Sequence, residues 1–167
     1  MSIKANVDFS GAVRGLEALL DSRVSLARSM GVAGGQVIRD EVKLRAPVGT
    51  EERGSLRPGS LRDAIYLAYR DGRSTDSRQI YSISWNAKKA PHGHLIEFGH
   101  WQTHAVYKDK DGSWTLGAPL AQPKWVPAKP FVRPGYEASL ARAQAAMVER
   151  GRDRLPELLR EARGGSG

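Results

Sequence analysis

The 167-residue sequence contains no cysteine. Disulfides, thiolate metal sites and cysteine nucleophiles are therefore excluded, a reducing compartment is left open, and any chemistry would rest on histidine, serine, threonine, carboxylates or lysine. No apolar run approaches the roughly 18 residues of a membrane span, and Met1-Ser2-Ile3-Lys4 opens no signal-peptide h-region. These absences predict a soluble chain made in the cytoplasm, without membrane contact. Also missing are a Walker-type phosphate loop, a Gly-x-Ser-x-Gly elbow, and helix-turn-helix, zinc-finger and RNA-recognition signatures. Sequence-specific reading of nucleic acid thus has little support.

With 40% hydrophobic and 26% charged residues, the composition is that of a globular protein. The length suits a single domain over residues 1–167. Lys and Arg number 26 against 18 Asp and Glu, a net charge of +8 that favours a polyanionic neighbour. Half of that excess, +4, lies in the central Pro-rich stretch 88–133, without any block of like charge.

Apolar positions Val13, Leu16, Leu20, Val24, Ala27, Met30, Gly34, Ile38 and Val42 step by three and four. The spacing predicts a helix from Gly11 to Arg45, with Ser10 as N-cap and Pro47 as stop. Gly31, Gly34 and Gly35 either bend this helix or admit a close neighbour. Residues 47–60 have no period and read as a mobile loop that orders on a partner. Ile65, Leu67 and Tyr69 alternate, as do Tyr81, Ile83 and Trp85, which predicts an antiparallel hairpin joined by the polar connector Asp71 to Arg78. Ala105-Val106-Tyr107 and Trp114-Thr115-Leu116 flank an Asp-Gly turn signal and form a further hairpin within a projecting excursion over 101–126. Pro119, Pro123, Pro127, Pro130 and Pro134 keep the chain extended until a helical period resumes at Gly135. That period carries Tyr136, Leu140, Ala143 and Met147, with Arg142, Arg150 and Arg152 on the opposite face. Pro156 is a candidate start for a separate short helix, and residues 164–167 read as a disordered tail. The fold class is α+β: long N- and C-terminal helices packed on a small antiparallel sheet.

All four histidines fall in His92-Gly93-His94-Leu95-Ile96-Glu97-Phe98-Gly99-His100-Trp101-Gln102-Thr103-His104. With Glu97 they raise the alternative of a metal-dependent DNA-processing enzyme, since His94, Glu97 and His100 would share one helical face. Gly93 and Gly99 would interrupt that helix, and surface or turn histidines are the favoured reading. No catalytic residue, cofactor or metal is assigned. The acid pairs Asp40-Glu41 and Glu51-Glu52 read as solvated. Tyr81, Trp85, Trp101 and Trp114, interleaved with Lys88, Lys89 and Lys108, raise a second alternative, a non-specific nucleic-acid-binding module. Core packing accounts for Tyr81 and Trp85, which leaves Trp101 and Trp114 as candidate interface residues.

Four short boxes stand in order: Ala46-Pro47 after the first helix, Gly59-Ser60-Leu61-Arg62-Asp63-Ala64-Ile65 opening the first strand, His94-Leu95-Ile96-Glu97-Phe98-Gly99, and Ala128-Lys129-Pro130-Phe131-Val132-Arg133-Pro134. Together they resemble the neck proteins of long-tailed bacteriophages, the head-tail joining or tail-completion family, over residues 10–160. The departures are Pro58, Ala64 and His100, where that family usually has Thr, Ser and Thr, and insertion-like stretches at 48–57 and 101–125. The resemblance implies a non-enzymatic virion protein of the neck that forms a ring with its own copies, touches neighbouring neck and tail proteins, and contacts passing DNA transiently and non-specifically. It makes Gly59, Leu61, Arg62, Glu97, Phe98, Gly99, Pro130, Phe131, Arg133 and Pro134 structural motif residues. In that reading Pro130 and Pro134 stiffen an extended segment, Phe131 is an apolar anchor and Arg133 pairs with a carboxylate such as Glu97.

Overall fold

The computed structural model describes residues 10–50 and 57–164. Helix α1 covers Ser10–Arg45, followed by the short helix α2 over Ser60–Ala64 and strand β1 over Ile65–Tyr69. A 3₁₀ turn at Asp71–Arg73 leads to β2, Tyr81–Trp85. Next come the short helix α3, Gly93–Phe98, the strands β3, His100–Lys108, and β4, Trp114–Val126, and the long helix α4, Val132–Gly164. This is an α+β fold with two long helices, but the strands form two separate two-stranded antiparallel sheets, β1–β2 and β3–β4.

The first helix runs without interruption through Gly31, Gly34 and Gly35, and close approach is what the glycines provide. A Cβ on Gly35 would stand 2.7 Å from Leu67 Cδ1 of β1, and one on Gly31 would stand 2.7 Å from the Tyr81 ring of β2. These two positions, one turn apart, seat the β1–β2 hairpin directly on the helix backbone. Gly34 points elsewhere, where its Cβ would lie 2.5 Å from Met147 of α4. The two long helices, each about 50 Å at 1.5 Å per residue, pair along much of their length.

The β1–β2 register sets Ile65 opposite Trp85, Leu67 opposite Ile83 and Tyr69 opposite Tyr81, so the two alternating sets meet on one face. Val42, Ala46, Leu61, Ala64, Ile65, Ala90 and Phe131 form the buried cluster beside them. The box at 59–65 differs from the expected strand opening. Residues 60–64 are helical because Leu61 and Ala64, three apart on one face, are both buried against α1 and Ile65. Of the loop 47–60, residues 51–56 lie outside the described residues, as do the tail residues 165–167; Gly164 closes α4.

Two proline expectations are corrected by α4. Pro134 sits in its first turn, where a missing N–H costs no helical hydrogen bond, while Pro119 and Pro123 in β4 and Pro127 and Pro130 after it stay outside the helix. Pro156 does not begin a new helix. The helix continues through it, held by Leu158, which is buried, and by Arg154, which reaches Glu157 and Glu161 across the proline.

Glu41, expected to be solvated, instead bridges the long helices by accepting hydrogen bonds from Arg142 of α4 and from Arg45. The Arg142 bond first, and then Arg45, hold its carboxyl below the ordinary value of 4.5. A carboxyl lowered on folding contributes stability that is complete above its unfolded pKa and disappears as the pH falls through the folded value. The stability difference between the native chain and Glu41→Gln should therefore shrink as the pH drops below about 4.5. Urea unfolding of both at pH 7 and pH 3 checks this; a difference that stays constant would reject it.

Candidate assembly interface

Helix α3 is six residues long, and its sequence positions one carboxylate. Gly93 does not interrupt this helix but begins it, because the Trp85 indole packs where a side chain would otherwise stand. Glu97 follows on the inward face and is only 8% exposed. The expected ion pair with Arg133 is not formed. One Glu97 oxygen, Oε2, accepts the backbone N–H of Phe131 at 2.7 Å and that of Val132 at 3.1 Å. Those are among the N–H groups that the start of α4 leaves without partners inside the helix, and a carboxylate there also meets the positive end of the helix dipole. Arg133 points outward to Glu137, four residues on, at 2.9 Å. A guanidinium on a rotating helix turn could not share the position that the backbone amides already occupy. Phe131 itself is fully buried, with its ring centroid 6.0 Å from that of Trp85.

Gly99 ends α3 with φ 74°, a left-handed backbone that disfavours a side chain. It is also crowded: a Cβ there would lie 2.8 Å from both Trp125 Cζ2 and the Val126 carbonyl oxygen. The backbone of Lys129 donates to Ile96 O at 2.8 Å. The departing and returning chains are thus pinned together at Gly99, and β3 and β4 leave the body from that point as an arm of about 30 Å. The arm is longer than the expected strands; its tip pairs Val106 with Leu116 as the sequence implied, and Lys108, expected in the turn, pairs with Trp114. The register shifts between Gln102 and Val106, opposite Pro119 and Pro123. Neither strand packs substantially on any other element.

At the base of the arm Trp101 faces Trp125 across the strands, ring centroids 5.3 Å apart and edge-on, and Trp101 is 61% exposed. Trp125 was not singled out by the sequence; its register partner was the missing signal. Trp114 is half-buried, with the Lys108 ammonium 6.0 Å from its ring centroid. Phe98, Val106, Tyr107 and Leu116 are also exposed. Leu61 is buried in α2, Arg62 lies alongside with a guanidinium nitrogen 3.5 Å from the Ala46 carbonyl, and Gly59 supplies the left-handed turn before them at φ 84°.

The histidines do not converge. His92 occupies the N-cap position of α3 without a capping hydrogen bond from its side chain, and burial there pushes its imidazole below the ordinary histidine range and favours the neutral form. His94 is exposed while Glu97 is buried, and His100 and His104 lie on β3. Among the described residues no group of three or more His, Asp or Glu is placed to hold a metal ion. With Glu97 committed to the α4 amides, the helical face proposed for metal chemistry is not assembled.

A family model described as "Bacteriophage HK97-gp10, putative tail-component" matches residues 14–99, a little over half of the chain. The chain belongs to this family. No curated protein and no solved structure matches it. Membership makes the chain a structural tail component of a bacteriophage, located in the virion and in contact with other tail or neck proteins. The match spans α1 to α3 and ends at Gly99, the base of the arm. The Pro130–Pro134 box lies beyond it and is tied to the matched part by Glu97. No helix among the described residues is long and apolar enough to cross a membrane.

Proposed function

We propose that this tail component is a neck subunit that completes the tail and joins it to the head connector, assembling with its own copies as a closed ring around the DNA path. The observation that carries the reading is the β3–β4 arm. A two-stranded hairpin is marginal alone in water, yet this one projects with exposed aromatic residues and little support from its own body. Such an element finds its packing in an assembly. A structural role also suits the one buried carboxylate of the site, which is spent on capping a helix.

Charge supports a place beside the genome. Lys88, Lys89, Lys108, Lys110, Lys124 and Lys129, all the lysines of the basic central stretch, are exposed. Spread along loops and arm, with only Lys88 and Lys89 adjacent, they suit weak contact with any sequence. Expected affinity for duplex DNA is on the order of 10⁻⁴–10⁻⁶ M at physiological salt, weakening as salt rises and indifferent to sequence. Imaging of isolated necks carrying a labelled subunit tests the whole reading. A ring of this subunit around a basic lumen is the expected result; isolated copies on the outer surface, or a lumen lined by its acidic residues, would overturn it.

A further inference from the structure

We infer that the ring contact is made by the β3–β4 arm of one copy lying in an apolar groove of the next. This inference rests on the ring reading above and names the two surfaces that meet. The groove, about 670 Å³, opens between α1, the β1–β2 sheet and the start of α4. Leu67 and Tyr81, packed over Gly35 and Gly31, form its floor, Ile83 and Met147 line it, and Tyr136 stands half-exposed at its edge. Arm and groove belong to the same chain, but the arm does not pack on the elements that form the groove.

Area favours a second copy as the occupant. At roughly 150–250 Å² per aromatic side chain, the exposed parts of Trp101, Tyr107 and Trp125, with Val106 and Leu116, offer on the order of 500 Å² of apolar surface. A standard interface takes about 800 Å² from each partner, of which a little over half is apolar. Counted over both of its faces, the arm therefore exposes about the apolar surface that one side of a stable contact needs. Its length, about 30 Å, is enough to reach across to a neighbouring body. Strand addition is a poor alternative along β4, because Pro119 and Pro123 lack the N–H groups that a further strand would need. A contact in which one patch meets a different patch on the next copy is also the kind that closes into a ring.

The absence of native cysteine makes the test direct. Leu116→Cys places a thiol on the arm, and Tyr136→Cys places one at the groove; both positions are exposed, so unchanged melting temperatures confirm intact folding. The two single variants are mixed, and the double variant is prepared separately. Each is oxidised in concentrated solution and, in parallel, in tails assembled from the variants. The expected result is a 116–136 cross-link in the mixture, a ladder from the double variant, and little cross-linking from either single variant alone. Predominant 116–116 or 136–136 links would overturn the inference by showing a symmetric contact, and capture of the arm thiol by a different tail protein would overturn it as well. An oligomer that gives no 116–136 link would reject this contact while leaving the ring intact. A chain that is monomeric in solution and stands alone in the tail would reject the ring itself.

Discussion

Phe131→Ala lowers the stability of the chain by about 3–5 kcal/mol, the range for truncating a buried phenylalanine. The ring is fully buried, packs against Trp85, and joins the Val42–Ala46–Leu61–Ile65 cluster, so its removal opens a cavity between α1, α2, β2 and the start of α4. For a chain of this size, about 2–4 °C per kcal/mol translates the loss into a melting temperature lower by about 6–20 °C. Thermal unfolding followed by circular dichroism reads it directly. An unchanged melting temperature together with failed assembly would move Phe131 from the core to a subunit contact.

The second large effect is expected at Glu97. Glu97→Ala leaves the Phe131 N–H without its partner in a buried place and the Val132 N–H without its partner in a partly buried one. At about 1–3 kcal/mol for each unsatisfied group, the expected loss is roughly 2–6 kcal/mol. Glu97→Gln keeps an oxygen that can accept both bonds but gives up the charge that strengthens them and complements the helix dipole, so its loss should be about 1–2 kcal/mol. The order native, Gln, Ala distinguishes this cap from an ion pair with Arg133. Were the pair real, Arg133→Ala would cost as much as Glu97→Ala; with Arg133 highly exposed and bound to Glu137, it should cost under about 1 kcal/mol. Urea unfolding of the three variants measures the order, and equal losses for Arg133→Ala and Glu97→Ala would reject the cap.

Both sites show how differently the two partners of one contact were legible. Phe131, an aromatic side chain between prolines, read as a buried anchor and is one. Glu97 read as a functional carboxylate and was matched to the nearest motif cation, because charge and spacing in a sequence display side chains and hide backbone amides. Its real partners are main-chain N–H groups 34 and 35 residues away, and every non-proline residue carries such a group.

The sequence by itself determined what local periodicity reports. Steps of three and four marked α1 and most of α4, and alternation marked β1 and β2 with the face they share. The Asp-Gly turn marked the tip of the arm, the lack of cysteine excluded thiol chemistry, and the ordered boxes pointed to a phage neck family. Only the tertiary structure decided how these pieces meet. It placed Trp125 beside Trp101 through a shifted register, buried Leu158 just past Pro156 so that α4 continues, and turned Glu97 toward α4. Each of these depends on contacts between residues far apart in the chain. Their energies become available only once the loops between them have closed, and no short window of sequence carries that information.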